Sequence, residues 1–314
     1  MIEHEDQQLF RVRMRYTGDK DNKDYSEDAW TRNEVGIWYG AWSAEDFEVA
    51  RAHPNPETIL NQLPAQKVIP WPVKRKTVLM VQTFCDIKPT DWVYACFGEA
   101  IHFARIQGPL KSEENHPFHK NSELWKYRQI VEKKSFKLSQ LPAFYRLIPQ
   151  AGRGNVFEPR DNYSDIIRIL ANSRNADDVA RTFERMTDKE RLKFLGPSEW
   201  ESFCLGFLIL EKQFLPTGLS VGRTLEGLDI VGRNGRTGRH ILAQCKKHNN
   251  PEDIDPNFIK IIEPYGLNAD TYYFAYGGLK KPLPIHINEI TGETMLSWVK
   301  SEPGKSFLAN IFQV

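Results

Sequence analysis

The stretch from residue 224 to residue 247 decides the fold of the second half of this chain. It begins with Thr224-Leu-Glu-Gly-Leu-Asp-Ile-Val-Gly232, continues through Arg233-Asn-Gly-Arg-Thr-Gly-Arg239, and ends with His240-Ile-Leu-Ala-Gln-Cys-Lys-Lys247. The glycines and polar residues in the middle predict a turn. The aliphatic runs on either side predict two strands, Leu228 to Val231 and His240 to Lys246. The stretch therefore predicts a β-hairpin.

This hairpin is expected to bring three polar side chains together. The midpoint between Asp229 and Lys246 falls at residues 237–238, inside the turn. A hairpin that closes there places Asp229 across from Gln244 and Lys246. Because side chains alternate between the two faces of a strand, Gln244 and Lys246 share one face and Cys245 lies on the other. A carboxylate, an amide and an ammonium group therefore converge on one patch.

The three groups suit the hydrolysis of a phosphodiester bond. The carboxylate of Asp229 can hold Mg²⁺, a cation that prefers oxygen ligands, with substrate phosphate and water completing its shell. A metal ion held there would polarise the phosphate and lower the pKa of the attacking water. Lys246 can orient that water and offset the charge that develops in the transition state. The amide oxygen of Gln244 can serve as a weak metal ligand or position a metal-bound water.

The residues around this set are basic. No acidic residue occurs between Asp229 and Glu252, and the interval contains Arg233, Arg236, Arg239 and Lys247. In a chain of balanced charge, such clustering indicates a binding site for the phosphates of a nucleic acid. The alternative is that the arginines only solvate an exposed loop.

The elements around the hairpin predict a mixed α/β domain. Apolar residues at the spacing i, i+3, i+4, i+7, i+8 predict an amphipathic helix that begins at 196–198 and stops by Pro216; they are Trp200, Phe203, Cys204, Phe207 and Leu208. Beyond the hairpin, the pattern predicts a helix at 256–263, strands at Tyr272 to Tyr276 and Ile285 to Ile287, and a short helix at Met295 to Lys300.

A known family shares this order of residues. Trp200-Glu201 on a helix, then Gly227-Leu-Asp229-Ile-Val, then Gln244-x-Lys246 resembles the Mrr-like branch of the PD-(D/E)xK restriction-endonuclease superfamily, in which Gln replaces the usual second acid. The resemblance covers about 196–300 and implies an α/β restriction-endonuclease-like domain that cleaves DNA with a metal ion. It implies Asp229 as metal ligand, Gln244 at the second acid position, Lys246 as catalytic lysine and Glu201 as a helix acid that joins the site.

Simpler interpretations of the same residues stay open. Asp229 can be a residue at the end of a strand, and Lys246 can be a solvated charge on an edge strand. Ser198-x-x-Glu201 also matches a capping box, in which the glutamate bonds the backbone of the N-cap residue. The capping and site roles of Glu201 can coexist.

The first half of the chain differs in composition, with six of the eight tryptophans before residue 126. Alternating apolar residues from Phe10 to Tyr16 predict a half-buried strand, and the β-rich run from Thr77 to Phe84 predicts another. A turn at Lys88 to Asp91 is followed by a predicted hairpin over Trp92 to Ile106. These patterns predict an N-terminal domain of the α+β class that is β-barrel-like, in addition to the α/β domain of the second half.

A second, looser resemblance concerns this N-terminal domain. The turn before Asp91-Trp-Val-Tyr94, followed by Ile101-x-x-Ala-x-Ile106, is similar to PUA/EVE-like domains, several of which read modified bases in nucleic acids. The resemblance covers about 10–145 and implies an aromatic pocket for a flipped base, lined by Trp38, Tyr39, Trp42 and Trp92. The alternative is that these aromatic side chains pack in the core.

Length and composition bound the class of protein. The chain has 314 residues, with 42 Lys and Arg against 41 Asp and Glu, for a formal net charge of +1. The length predicts two domains, which we place at 1–150 and 196–314, with a helical connector at 160–195. The near-zero charge excludes proteins that bind polyanions by bulk charge, but it leaves room for a local basic site.

Targeting signals are not evident in the sequence. The acidic N-terminus lacks the basic and apolar regions of a signal peptide. The longest strongly apolar run, Phe203 to Leu210, is shorter than the roughly 20 residues that cross a bilayer. Four widely spaced cysteines disfavour a disulfide framework and fit the reducing cytoplasm.

These patterns predict a cytoplasmic DNA endonuclease that depends on Mg²⁺ or Mn²⁺. With its base-reading domain, it would be a modification-dependent, type IV-like restriction enzyme. The expected partners are double-stranded DNA carrying modified bases and a second copy of the chain, since cutting both strands commonly needs two active sites; no membrane partner is expected. Two alternatives remain open: a DNA-repair or defence nuclease with a different sensor domain, and a non-catalytic nucleic-acid binding module.

Overall fold

Two sheets, one in each half of the chain, organise the molecule. The computed structural model describes residues 7–15, 23–38, 42–55, 58, 75–119, 123–150, 156–159, 162–217, 227–284 and 286–312. The chain divides into two compact units: unit 1 contains Met1–Leu141 and Tyr145–Val179, and unit 2 contains Pro142–Phe144 and Ala180–Val314. The division falls inside the segment predicted as a helical connector.

The sheet of unit 1 is built around the hairpin predicted at residues 92–106. Its strands are β1 (Leu9–Val12), β2 (Glu34–Ile37), β3 (Trp92–Phe97), β4 (Ala100–Ser112), β5 (Lys126–Lys137) and β6 (Val156–Phe157). They lie in the order β2-β5-β4-β3-β1-β6, and neighbours are antiparallel except for the parallel pair β1 and β3. Within the described residues, the edge strands β2 and β6 do not pair with each other. The sheet is therefore open, and the expectation of a β-barrel-like domain is wrong.

Helices cover one face of this sheet in place of the further strand that the sequence predicted. They are α1 (Ser26–Thr31), α2 (Ala44–Arg51) and α3 (Arg75–Asp86). The run from Thr77 to Phe84 lies in α3, so its prediction as a strand is wrong. Val78, Val81 and Phe84 are buried while Leu79 is half exposed, which is the periodicity of a helix. The β-branched residues of this run suggested a strand, but packing of this face against the sheet prevails over propensity.

Strand β1 covers Leu9–Val12, so it overlaps only the first residues of the predicted strand, and it is buried on both faces. All four residues of Leu9–Val12 are buried, including Arg11, which is only 3% exposed. The guanidinium of Arg11 donates to the carbonyl oxygen of Ile148 (3.0 Å), which lies over the second face of the sheet. The half-buried strand was therefore a wrong interpretation of the alternating arginines. Tyr16, the last residue of that pattern, lies outside the described residues.

The segment from 163 to 194 is helical, as predicted. It contains α4 (Asn162–Asn172), α5 (Ala176–Arg185) and α6 (Asp188–Phe194). The boundary between the two units falls within α5, between Val179 and Ala180.

Unit 2 has the mixed α/β structure that the sequence predicts. Its elements are α7 (Pro197–Lys212), β7 (Phe214–Pro216), β8 (Ile230–Asn234), β9 (His240–Lys246), α8 (Pro256–Ile262), β10 (Ala269–Ala275), β11 (Ile287–Thr291), α9 (Gly292–Val299) and α10 (Glu302–Phe312). The sheet order is β11-β10-β9-β8-β7. Strands β7, β8 and β9 are antiparallel, whereas β9, β10 and β11 are parallel.

Some boundaries in unit 2 differ from the prediction. Helix α7 ends at Lys212, before Pro216, because Gln213 adopts a left-handed conformation (φ 54°) and the chain continues into β7. The strand expected at Ile285 to Ile287 begins at Ile287 and runs to Thr291. The predicted stripe of α7 is buried, and its members are Trp200, Phe203, Cys204, Phe207 and Leu208.

Two further features of the described residues concern membrane-spanning helices and cysteines. Among the residues that the structure describes, no helix combines the length and the apolar character needed to cross a membrane. The four cysteines are free thiols, as their wide spacing predicts.

Candidate active site

The register of the β8–β9 hairpin places Asp229 directly opposite Gln244. The ladder pairs Ile230 with Ala243 and Arg233 with His240, and the backbone N–H of Asp229 donates to the carbonyl oxygen of Ala243 (3.0 Å). The hairpin thus closes between residues 236 and 237, slightly earlier than predicted. Asp229 and Gln244 face each other as expected, and Lys246 lies two residues further along β9.

The carboxylate of Asp229 is held by two hydrogen bonds from β9. Its Oδ2 accepts from Nε2 of Gln244 (2.6 Å) and from the backbone N–H of Cys245 (2.7 Å). Gln244 is only 4% exposed, and among the described residues its Oε1 has no hydrogen-bond partner. A buried carbonyl oxygen without a donor is costly, so this atom needs water or a cation.

Lys246 is the last residue of β9, and its ammonium group forms an ion pair. Its Nζ lies 3.3 Å from Oδ2 of Asp255, a residue that the sequence did not single out. Asp255 is the N-cap of α8, and its Oδ1 accepts from the backbone N–H of Asn257 (2.9 Å). The sequence Asp255-Pro256 predicts the start of a helix. It does not predict that the carboxylate of this N-cap residue pairs with Lys246.

Glu201 does not cap its helix, and it lies within electrostatic reach of Asp229 and Lys246. The N-cap of α7 is Gly196, Pro197 occupies the first helical position, and the carboxylate that bonds the backbone of the N-cap residue is that of Glu199. The capping-box interpretation of Ser198 and Glu201 is therefore wrong, because proline fits the first position and shifts the start of the helix by two residues. Glu201 is half-buried in the second turn, close enough to Asp229 and Lys246 for their charges to act on it.

Burial and mutual repulsion govern the protonation of the carboxylates in this site. Burial raises the pKa of Glu201, the charge of Asp229 raises it further, and Lys246 opposes both effects. Burial also raises the pKa of Asp229, against the hydrogen bond from Cys245 and the charge of Lys246. Burial likewise raises the pKa of Glu252, while His248 and then Lys246 lower it. The charge of Lys246 thus favours the ionised form of all three carboxylates, whereas burial disfavours it.

The donor set fits a hard divalent cation. Among the described residues, no three or more His, Cys, Asp and Glu side chains are grouped to hold a metal ion. The candidate ligands are instead two carboxylates, Asp229 and Glu201, and the unpartnered amide oxygen of Gln244. Mg²⁺ commonly takes one or two protein carboxylates and keeps several waters, so this small set suits it.

The basic residues predicted to flank the site lie elsewhere on the hairpin. Arg233 and Arg236 are exposed near the turn, four and seven residues from Asp229, and Arg233 is separated from it by about 14 Å of strand. Arg239 pairs with Asp270 (2.9 Å) and also donates to two backbone carbonyl groups. The turn therefore offers two exposed guanidinium groups, and Arg239 has a structural role.

Lys247, predicted to contribute to the phosphate-binding cluster, lies over two aromatic rings. Its Nζ lies 3.0 Å from the ring centroid of Tyr276 and 5.6 Å from that of Trp200, and it has no hydrogen-bond partner among the described residues. Burial lowers the pKa of Lys247 to about 7. This geometry does not offer the ammonium group to a phosphate.

The aromatic residues proposed to read a base do not line one pocket. Trp38 and Trp42 are 4% and 3% exposed and belong to the core between the sheet and helices α1 to α3. Trp92 alternates with the core residue Val93 and so lies on the opposite face of the sheet, with Arg105 and Lys134 over its ring (4.6 and 4.5 Å). Tyr39 lies outside the described residues.

Comparisons with known proteins add no family to this picture. No protein-family model, curated protein or solved structure matches the chain.

Proposed function

We propose that this chain is a metal-dependent DNA endonuclease that hydrolyses phosphodiester bonds, with a restriction-endonuclease-like fold in unit 2. The observation that supports this function best is the buried, unpartnered Oε1 of Gln244 beside the doubly hydrogen-bonded carboxylate of Asp229. A donor-free oxygen at the edge of a carboxylate cluster is stable only when a cation or water meets it.

Each residue of the site has a role in this proposal. Asp229, Glu201 and Gln244 would hold Mg²⁺ or Mn²⁺, which supplies polarisation of the phosphate and a lowered pKa of the attacking water. The hydrogen bonds from Gln244 and Cys245 fix the Asp229 carboxylate before any ligand arrives. The ammonium group of Lys246 would orient the attacking water and offset the negative charge of the transition state.

The topology of unit 2 agrees with the Mrr-like resemblance. Helix α7 brings Glu201 to an antiparallel hairpin, and parallel strands follow on the far side of β9. The proposed substrate is double-stranded DNA, and cutting both strands favours a homodimer with two sites. That unit 1 selects DNA with modified bases is a finer proposal, and it rests on the sequence resemblance alone.

The function is tested by plasmid cleavage in Mg²⁺ with wild type, Lys246→Ala and a control, Lys260→Ala, on unmodified and base-modified DNA. Lys260 is an exposed lysine of α8. We expect wild type and Lys260→Ala to cut, and Lys246→Ala to cut at least about 100-fold more slowly. Binding of DNA in Ca²⁺ should stay within about twofold, because one charge is a small share of a multi-contact interface.

Each outcome decides between the candidate functions. Cleavage by Lys246→Ala at the wild-type rate overturns the proposed mechanism. Tight DNA binding without any cleavage by the wild type indicates a non-catalytic binding module. Cleavage of modified DNA alone supports recognition of modified bases by unit 1. Equal cleavage of both substrates overturns that recognition but not the proposed nuclease activity.

A further inference from the structure

Asp255 makes polar contacts to three different elements of unit 2. Its backbone N–H donates to the hydroxyl oxygen of Tyr273 on β10 (3.1 Å). Its Oδ1 accepts from the backbone N–H of Asn257 in the first turn of α8 (2.9 Å). Its Oδ2 lies 3.3 Å from Nζ of Lys246 at the end of β9. The residue is thus anchored to a helix and a strand while one carboxylate oxygen faces the lysine.

Lys246 needs such a partner more than the other site residues do. Its ammonium group ends a flexible four-carbon stem, which loses conformational entropy when it is held in one place. The carboxylate of Asp229 is already fixed by hydrogen bonds from Gln244 and Cys245. Among the described residues, the polar contact of the Lys246 ammonium group is the ion pair with Asp255, so its orientation depends on that partner.

We propose that Asp255 is a positioning residue that holds the ammonium group of Lys246 in the orientation needed for hydrolysis. The inference rests on the proposed function, since orientation matters only if Lys246 acts on the phosphodiester. Asp255 acts through Lys246 and is not itself assigned a contact with substrate. The side chains of Lys246 and Asp255 are 29% and 22% exposed, so the pair can form without complete loss of hydration.

The two oxygens of Asp255 allow positioning to be separated from capping. Oδ1 caps α8, and Oδ2 pairs with Lys246. Asparagine caps a helix about as well as aspartate, so Asp255→Asn keeps the cap and removes the charge that holds the lysine. Asp255→Ala removes both. Loss of activity in Asp255→Asn therefore reports loss of the ion pair, whereas the additional loss of stability in Asp255→Ala reports loss of the helix cap.

Asp253→Asn is the matched control. Asp253 lies two residues before Asp255 and forms an exposed ion pair with Lys280 (2.9 Å). In Mg²⁺, we expect kcat of Asp255→Asn to fall about 10- to 100-fold while KM, Tm and DNA affinity in Ca²⁺ stay at wild-type values. The Asp253→Asn variant should cut at the wild-type rate.

A second measurement needs neither metal nor DNA. Acylation of lysine amines in the metal-free protein, followed by peptide mass spectrometry, reports how firmly each ammonium group is held. We expect Lys246 to react severalfold faster in Asp255→Asn than in wild type. In Asp253→Asn the faster amine should instead be Lys280, with Lys246 unchanged, because each lysine is released only by loss of its own partner.

The outcomes distinguish this inference from the proposed function. Wild-type kcat in Asp255→Asn, with Lys246→Ala inactive, overturns the positioning role and leaves the nuclease standing. A fall in Tm in Asp255→Asn as large as that in Asp255→Ala assigns the residue to structure and also overturns the inference. Cleavage by Lys246→Ala at the wild-type rate removes the proposed function and the inference together.

Discussion

Gln244 donates from Nε2 to Oδ2 of Asp229 at 2.6 Å, across the two strands of the β8–β9 hairpin. A carboxylate at residue 244 would meet Asp229 at this position without an N–H to donate, and the two like charges would repel each other. The amide therefore stabilises the half-buried carboxylate of Asp229 with a hydrogen bond that a carboxylate at this position could not donate. Its free Oε1 remains for a cation or water.

This relationship predicts that Gln244→Glu destabilises the metal-free protein. The cost should be about 1–3 kcal/mol, because a hydrogen bond to a charged group is lost and a carboxylate is placed at the buried position 244 beside that of Asp229. Mg²⁺ or Ca²⁺ should raise the Tm of the variant more than that of wild type, since a cation neutralises both charges. Calorimetric unfolding with and without chelator measures this. Gln107→Glu, at an exposed position of β4, should change nothing, and equal metal-free stability of Gln244→Glu and wild type would contradict the prediction.

The arginines of the hairpin turn should separate into two kinds. Arg239→Ala is expected to lower stability by about 1 kcal/mol, because it removes an ion pair with Asp270 and hydrogen bonds to backbone carbonyl groups. Arg236→Ala should leave stability unchanged and reduce the slope of log K against log salt for DNA binding by about 1, as loss of one phosphate contact predicts. Urea unfolding and DNA titrations in Ca²⁺ at several salt concentrations test both. An unaltered slope in Arg236→Ala would remove the turn from the DNA interface.

Replacement of Trp38 should act through the core of unit 1. Its indole packs 4.3 Å from the ring centroid of Trp125 and donates to the carbonyl oxygen of Phe118 (2.8 Å). Trp38→Ala should therefore cost about 3–5 kcal/mol, and cleavage of modified and unmodified DNA should fall in the same proportion. The control is Val131→Ala, at a half-exposed position. A change confined to modified DNA, with stability intact, would instead restore Trp38 as a reader.

The sequence predicted the hairpin residues of the site because their pairing is local. Asp229 and Gln244 are 15 positions apart and joined by one glycine-rich turn, so the register follows from the turn. Glu201 and Asp255 come from α7 and the start of α8, and their approach to Lys246 depends on how these helices pack. Only family resemblance pointed to Glu201, and no local pattern pointed to Asp255.

Unit 1 was harder to predict because its sheet is covered on both faces. The alternation of apolar residues and arginines in β1 predicted one exposed face, but the guanidinium of Arg11 is buried on the second face by its hydrogen bond to Ile148. In α3, β-branched residues at Val78 and Val81 suggested a strand although the buried positions follow a helical repeat. A cluster of tryptophans in sequence gave no indication that Trp92 and Trp38 lie on opposite faces of one sheet.

Unit 1 contains a buried lysine, Lys126, whose protonation makes the stability of the protein depend on pH. Lys126 is 0% exposed; its Nζ donates to the carbonyl oxygen of Leu124 (3.0 Å) and lies 5.5 Å from the ring centroid of Phe47. Burial lowers the pKa of Lys126 to about 7. Between that pH and the ordinary lysine pKa of about 10.4, the unfolded chain binds the additional proton, so stability must rise with pH across this window.

Lys126→Met should remove this dependence. The stability difference between variant and wild type should shift by about 3 kcal/mol in favour of wild type from pH 7 to pH 9.5. Burial also lowers the pKa of Lys134, to about 8, so wild type and variant share that slope and only their difference tests Lys126. Urea unfolding of the full chain followed by tryptophan fluorescence reports chiefly on unit 1, which contains six of the eight tryptophans. A difference that stays constant over this range would mean that Lys126 is charged in the folded protein, with its burial compensated by the groups around it.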